Sequence, residues 1–198
     1  MTKLHLGCGP LALPGWINID NQKYPGVDRV LDLTRGLPYK NASFIFAEHF
    51  IEHIAYPDAL KLMRECRRAL ADDGVLRLST PNLDWVWITH YKEAMNDAEA
   101  LQACFAINRA FRGWGHQFLY NERTLRATLQ DAGFATVKRV EYGASEHSEL
   151  RNLERHEKSP DYGSLSHILI VEASGHGGAT PEIIQAPRAE YLRDIQVK

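Results

Sequence analysis

"LHLGCGPLALPGWINID", residues 4–20, opens as an apolar strand that breaks at Gly7 and Gly9 and resumes as a second strand ending at Asp20. Glycines there remove Cβ atoms where a main chain must turn tightly and lets a ligand approach, while nearby N–H groups can meet a negative group. An acid at the end of the second strand is suited to accept hydrogen bonds from ribose hydroxyls. Asp20, however, lies 13 residues past Gly7, against about 20 in the dinucleotide fingerprint. The connection "CGPLALPG" barely provides a turn of helix, whereas a parallel pair normally needs about a dozen residues or more. Two readings follow: a parallel pair with a shortened crossover, or an antiparallel hairpin with no ligand.

The flanking sequence favours the parallel reading. Residues 28–33, "DRVLDL", and 43–47, "SFIFA", read as third and fourth strands, ending at Asp32-Leu33 and Glu48-His49. With Asp20 these strand ends converge on one crevice, and open α/β sheets bind ligands at such carboxyl ends. A helix over 58–70 sets Ala59, Leu60, Leu62, Met63, Cys66, Ala69 and Leu70 on an apolar face and Lys61, Arg64, Arg67 and Arg68 on a solvated one. Pro57 and Asp58 open it and Gly74 closes it. A strand over 75–80 follows, then a helix over 121–134 with Asn121 as cap and Gly133 as stop, and strands over 135–142 and 166–173. Strands alternating with helices predict an α/β fold with a mainly parallel, wound sheet.

Two segments interrupt that rhythm. Residues 83–118 hold Trp85, Trp87, Tyr91, Phe105, Phe111 and Trp114, with an amphipathic helix around Ala98, Leu101 and Phe105; residues 143–165 are polar, with His147, Arg151, Arg155 and His156. Insertions at one edge of a sheet are often binding loops. From Gly175 the chain reads as a flexible Gly-rich linker ending in a short helix. A chain of 198 residues with 44% apolar content builds one substantial core. A net charge of −2 offers no positive field for a phosphate backbone, which argues against nucleic acid as partner. Three cysteines without metal spacing, glycines too early for a signal peptide and no membrane-spanning apolar run lead to the expectation of a cytoplasmic protein away from the membrane.

In order and spacing, "LGCG", "GWINID", "EHFIEH" and "GHQFLYNERTLRATLQDAGF" resemble segments of the class I S-adenosylmethionine-dependent methyltransferases, in particular a small type 11-like subgroup, over residues 4–174. The resemblance implies a Rossmann-like seven-stranded mixed sheet of order 3-2-1-4-5-7-6, with residues 166–173 as the antiparallel strand 7. It implies S-adenosyl-L-methionine as cofactor, with Gly7, Cys8 and Gly9 along its methionine part, Asp20 on the ribose, Asp32 and the Leu33 backbone at the adenine, and Glu48 nearest the methionine end. The domain then spans residues 1–174, with 175–198 as a tail. His5 stands where the family usually has an acid before the first glycine, Ile45 replaces a frequent aspartate, and the first crossover is truncated. These departures motivate an alternative, a degenerate domain that binds the cofactor or a partner without turnover.

A sulfonium methyl is already electrophilic, so the protein must chiefly align the acceptor and, for a hydroxyl, remove its proton. Histidine changes protonation near neutral pH, which makes His116, His49 and His147 the candidate bases, His116 first because it follows the aromatic insertion. Trp85, Trp87 and Trp114 can wall an acceptor ring or sugar, and Arg151, Arg155 and His156 can meet a carboxylate or phosphate. The strand-four end reads "AEHFIEH", without the Asn/Asp-Pro-Pro-aromatic motif of related amine methylators. The expected reaction is metal-independent methyl transfer to a small molecule or sugar, at oxygen. A rival lies in the same letters: "HFIEH", residues 49–53, matches H-x-x-E-H, a zinc hydrolase pattern with His49 and His53 as ligands and Glu52 as base. It nominates no third ligand and leaves Gly7, Asp20 and Asp32 without a role.

Overall fold

Strands β1 (Thr2–Leu6) and β2 (Ile17–Asp20) run parallel in the computed structural model, Leu4 opposite Ile17 and Leu6 opposite Ile19. The structure describes residues 1–90, 96–156 and 158–195; Tyr91 of the aromatic insertion lies outside them. The hairpin reading of the opening stretch is therefore excluded. The short connection is held by Asn18, whose side chain accepts from Leu13 N (2.8 Å) and donates to the carbonyls of Leu13 and Trp16. Asp28 in turn accepts from the Asn18 main chain at 2.8 Å.

The sheet continues through β3 (Arg29–Val30), β4 (Ala42–Glu48), β5 (Leu70–Pro81), β6 (Phe134–Arg139) and β7 (Ile168–His176) in the order β3-β2-β1-β4-β5-β7-β6. Only β7 is antiparallel to its neighbours, as the resemblance implied. Helices α1 (Tyr56–Ala69), α2 (Leu83–His90), α3 (Asp97–Arg112), α4 (Glu122–Asp131) and α5 (Glu182–Ile195) complete the described elements.

Strand alternation sorts the core into two faces. Leu4, Leu6, Ile45, Ala47, Leu76 and Leu78 point to the side of α1 and α4. On the other side Phe44, Phe46 and Val75 are covered by Leu13 and Trp16 from the short crossover and by Leu150 and Leu153. A loop and an insertion thus close this face in place of a helix, each buried leucine contributing about 1.5–3 kcal/mol. Fully buried Arg77 ties the insertion to the same face through Glu154 (2.6 Å) and the Ala144 carbonyl, and pairs with Glu172 of β7 at 2.6 Å.

Several expectations are corrected. The third strand is two residues long because Asp32 caps a 3-10 turn, Leu33–Arg35, accepting from Thr34 N, which ends the ladder. Gly74 does not close α1, which passes directly into β5. It lies where the β4–β5 register shifts, and a Cβ there would stand 2.7 Å from the Ala42 carbonyl oxygen. Arg67, expected on the solvated face, is buried over the Phe134 ring. The amphipathic helix of the insertion forms as α3, yet Leu101 and Phe105 face solvent, 62% and 75% exposed. Gly175 is still within β7 rather than a linker, and α5 packs back through Tyr191 on Tyr56 and through Arg188 on Asp131. Asn121 caps α4 as expected, accepting from Thr124 N at 2.9 Å.

Candidate active site

At the carboxyl ends of β1 and β2 and over the turn after β3 lies a cleft of about 680 Å³, within the range of about 300–1,000 Å³ usual for ligand pockets. Gly7, Gly9, Asp20, Asp32 and Leu33 all border it. Both glycines have positive φ (62° and 49°). A Cβ on Gly7 would stand 2.2 Å from the Phe50 ring, whereas one on Gly9 would meet nothing within 4 Å. Gly7 thus serves the packing of the cleft wall, and Gly9 keeps open the space in front of the loop. Asp20 is half-buried, one carboxylate oxygen accepting from Gly9 N (2.8 Å) and the other from Gln22 N (2.9 Å). Each oxygen keeps lone-pair capacity facing outward. The Asp32 carboxyl is held below its ordinary value by the Thr34 hydroxyl and N–H.

Two residues expected at this cleft do not border it. Cys8 is buried, its thiol pushed up to about 11 by desolvation and then by Asp20, so it has no charge to offer a ligand. Glu48 turns toward the 143–165 insertion, one oxygen accepting from Arg155 N (2.8 Å) and His156 N (3.1 Å). Burial pulls its carboxyl up, but the bonds from the His156 side chain and these N–H groups outweigh that and hold it below its ordinary value.

A second cavity of about 530 Å³ adjoins the first, the two sharing His53 and Trp114. Six of the nine histidines line it: His49, His53, His90, His116, His156 and His167. Trp85 joins them, its indole donating to the Pro160 carbonyl. Burial lowers His53, His90 and His167; the Nδ1 lone pair of His167 is taken by Ser159 N at 2.9 Å. His156 is raised by its bond to Glu48 and stacks on His49 at 4.0 Å. The His116 ring contacts the Ala110 carbonyl through Nδ1 at 2.8 Å; a carbonyl only accepts, so Nδ1 carries a proton, and in the neutral ring Nε2 holds the lone pair. His49 has a positive φ of 46°, an uncommon conformation for a residue other than glycine, and its Nε2 is buried without a hydrogen bond. Such outliers cluster at functional sites.

Of the three candidate bases, His116 and His49 line this chamber, and His147 does not: its ring packs edge-on against Phe44, on the face of the sheet closed by the crossover loop. Trp85 and Trp114 border the chamber; Trp87 does not. Arg151 is spent on the Ser145 carbonyl. The H-x-x-E-H stretch is no α-helix but the end of β4 followed by a 3-10 turn, Ile51–His53, so the His49/His53 pair one helical turn apart is not formed. Sequence reasoning missed His90 and His167, the one signal for them being the sheer number of histidines in the chain. His5 and Ile45, the departures from the family pattern, both point away from the cleft: His5 stacks on Phe46 and bonds Asn18, and Ile45 is in the core.

Fold and site together define a wound α/β domain with a ligand crevice at the strand ends and a histidine-lined cavity beside it. A family model of methyltransferase domains matches residues 6–139, and the chain belongs to that family. Similar folds include a SAM-dependent methyltransferase from Archaeoglobus fulgidus (16% identity, 87% of this chain, 85% of that one, TM-score 0.55) and an S-adenosylmethionine-dependent methyltransferase from Mesorhizobium loti (15%, 87% and 89%, TM-score 0.54). A "possible exported protein" from Bordetella parapertussis is similar too (13%, 89% of this chain, TM-score 0.55); the chain spans 62% of that protein's length. No curated protein matches the chain in sequence. Among the described residues no helix is long and apolar enough to cross a membrane.

Proposed function

We propose that this methyltransferase domain binds S-adenosylmethionine in the glycine-lined cleft and transfers its methyl group to an oxygen of a small molecule or sugar held in the histidine chamber. The observation that carries this reading is the junction of the two cavities at His53 and Trp114. The cleft residues fit the cofactor: Asp20 has capacity for two ribose hydroxyls, the open space at Gly9 admits the amino-acid arm, and Asp32 with the Leu33 main chain borders the adenine end.

When bound, the cofactor supplies an electrophilic methyl on a sulfonium. The chain's own residues then have three tasks. Trp85 and Trp114 present aromatic faces that orient the acceptor. His116, with Nε2 unprotonated, and His49 are the groups that take a hydroxyl proton. Glu48 orients His156 at the rim.

Calorimetric titration with S-adenosylmethionine and its demethylated product tests the cleft, and incubation with hydroxylated small molecules and sugars tests the chamber. Binding of both nucleosides with formation of a methyl ether is the expected result. Failure of both to bind overturns the reading; binding with transfer only to nitrogen or carbon overturns the oxygen assignment.

A further inference from the structure

Among the described residues, Glu52, His53 and His116 bring one potential ligand atom each into a set whose members all lie within 4.8 Å of one another. Ligands of a zinc ion bound at about 2.0–2.1 Å sit closer together than that, so binding draws the three side chains inward. The main chain fixes the set. Gln117 N and Phe118 N both donate to the Glu52 carbonyl (2.7 and 3.2 Å), and the Gln117 amide donates to the His53 carbonyl (2.7 Å). These bonds strap residues 116–118 onto the turn after β4, and they set the two imidazoles edge to face with centroids 4.9 Å apart.

Glu52 is the telling member. It is fully buried, Thr80 Oγ1 donates to its Oε2 at 2.9 Å, and its Oε1 has no hydrogen bond. His49 Nδ1 lies 3.3 Å from that oxygen, an ion-pair contact only when the imidazole is protonated, and forms no hydrogen bond with it. A buried carboxylate oxygen without a hydrogen bond is costly unless a cation completes it. His116 adds the second sign, since a metal-ligating histidine typically donates its other ring N–H to a carbonyl or carboxylate, as Nδ1 does here to Ala110. Two imidazoles and one carboxylate form a donor set suited to zinc or iron(II), with further positions left open.

We propose that Glu52, His53 and His116 bind a divalent transition-metal ion at the wall of the histidine chamber, and that its open positions take an oxygen of the methyl acceptor. The second part rests on the methyl-transfer reading above. A cation beside a hydroxyl lowers its pKa.

The test uses the full chain stripped with chelator and titrated with Zn²⁺, and with Co²⁺ as a visible-absorption probe. One equivalent of either ion is expected, with Co²⁺ bands of a low-coordinate nitrogen and oxygen site. Glu52→Gln and His116→Ala should each weaken binding by more than the roughly 10–100-fold that an outer-shell change costs. His147→Ala, outside the chamber, should leave it unchanged. Should Glu52→Gln fail to fold, as judged by circular dichroism, His116→Ala decides alone. No stoichiometric binding, or binding that survives both substitutions, overturns the site. Calorimetry with S-adenosylmethionine on the same samples separates the two proposals: cofactor binding without metal binding sinks this one only, and metal binding without cofactor binding sinks the other.

Discussion

Gly7 and Gly9 sit two residues apart with similar backbone angles, yet the structure gives them different work, and substitution separates the two. Gly7→Ala must displace the Phe50 ring as well as hold a left-handed conformation, so it is expected to lower stability by about 1–3 kcal/mol, the usual cost of overpacking. Gly9→Ala meets open space and carries the conformational strain alone, about 1–2 kcal/mol. Its main effect should be weaker binding of S-adenosylmethionine, read by calorimetry beside a urea melt. Asp20→Ala removes a charged acceptor worth about 1.5–3 kcal/mol, so affinity for the cofactor should drop by about 10-fold to 100-fold. These residues were legible in the sequence because a glycine pair between two strands and an acid at a strand end have few other uses. Glu48 was legible as a strand-end acid but not in its direction. Its partners, Arg155 and His156, are more than a hundred positions away, and nothing local in the sequence announces such a bond.

Among the elements, strands were the easier to read, since short apolar runs bounded by turn residues survive in the letters of β1, β2, β4 and β7. Ends of elements were harder. Gly74 has the look of a helix stop, but it answers to the backbone of a neighbouring strand, a contact that only tertiary structure creates. Helix α2 carries Trp85 and Trp87 in a short apolar run with no clear periodicity, so it passed as part of a loop. The buried cluster on β5 and β7 offers a prediction at this scale. Arg77→Ala leaves Glu154 and Glu172 buried and facing each other without their cation, and should cost about 3–5 kcal/mol in urea unfolding. Asn18→Ala removes the clasp of the short crossover and should cost about 1–3 kcal/mol, with the Leu13 N–H and carbonyl left to find water.

The whole molecule is a sheet with a thick side and a thin side. Helices α1 and α4 cover one face, while the other is closed by the crossover loop and by residues 143–156, which reach from Leu150 and Leu153 under the sheet to His156 in the chamber. The histidine chamber was illegible for a related reason: its lining comes from the ends of β4 and β5, from α2 and α3, and from both insertions, segments that only the fold assembles. Docking of the 143–156 segment should depend on pH. His156 faces Glu48, Glu52 and His49, and its bond to Glu48 raises it above the ordinary 6.5. That contribution is full below about pH 6.5 and is lost as pH rises through the raised value; Glu48, held below 4.5, loses its share only as pH falls through the lowered one. Because burial lowers His53, His90 and His167, which act with the opposite sign, the effect is read as a difference: the urea midpoint of the wild type minus that of His156→Asn should shrink slightly from about pH 6 to about pH 9, the half-exposed rim position keeping it small. Because one polypeptide stretch both roofs Phe44 and Phe46 and edges the chamber, an occupant resting against His156 ought to slow deuterium uptake at the start of β4, around Phe44, away from the strand end that lines the chamber. The identity of an unknown acceptor could thus be screened by the calm it brings to the far side of the sheet.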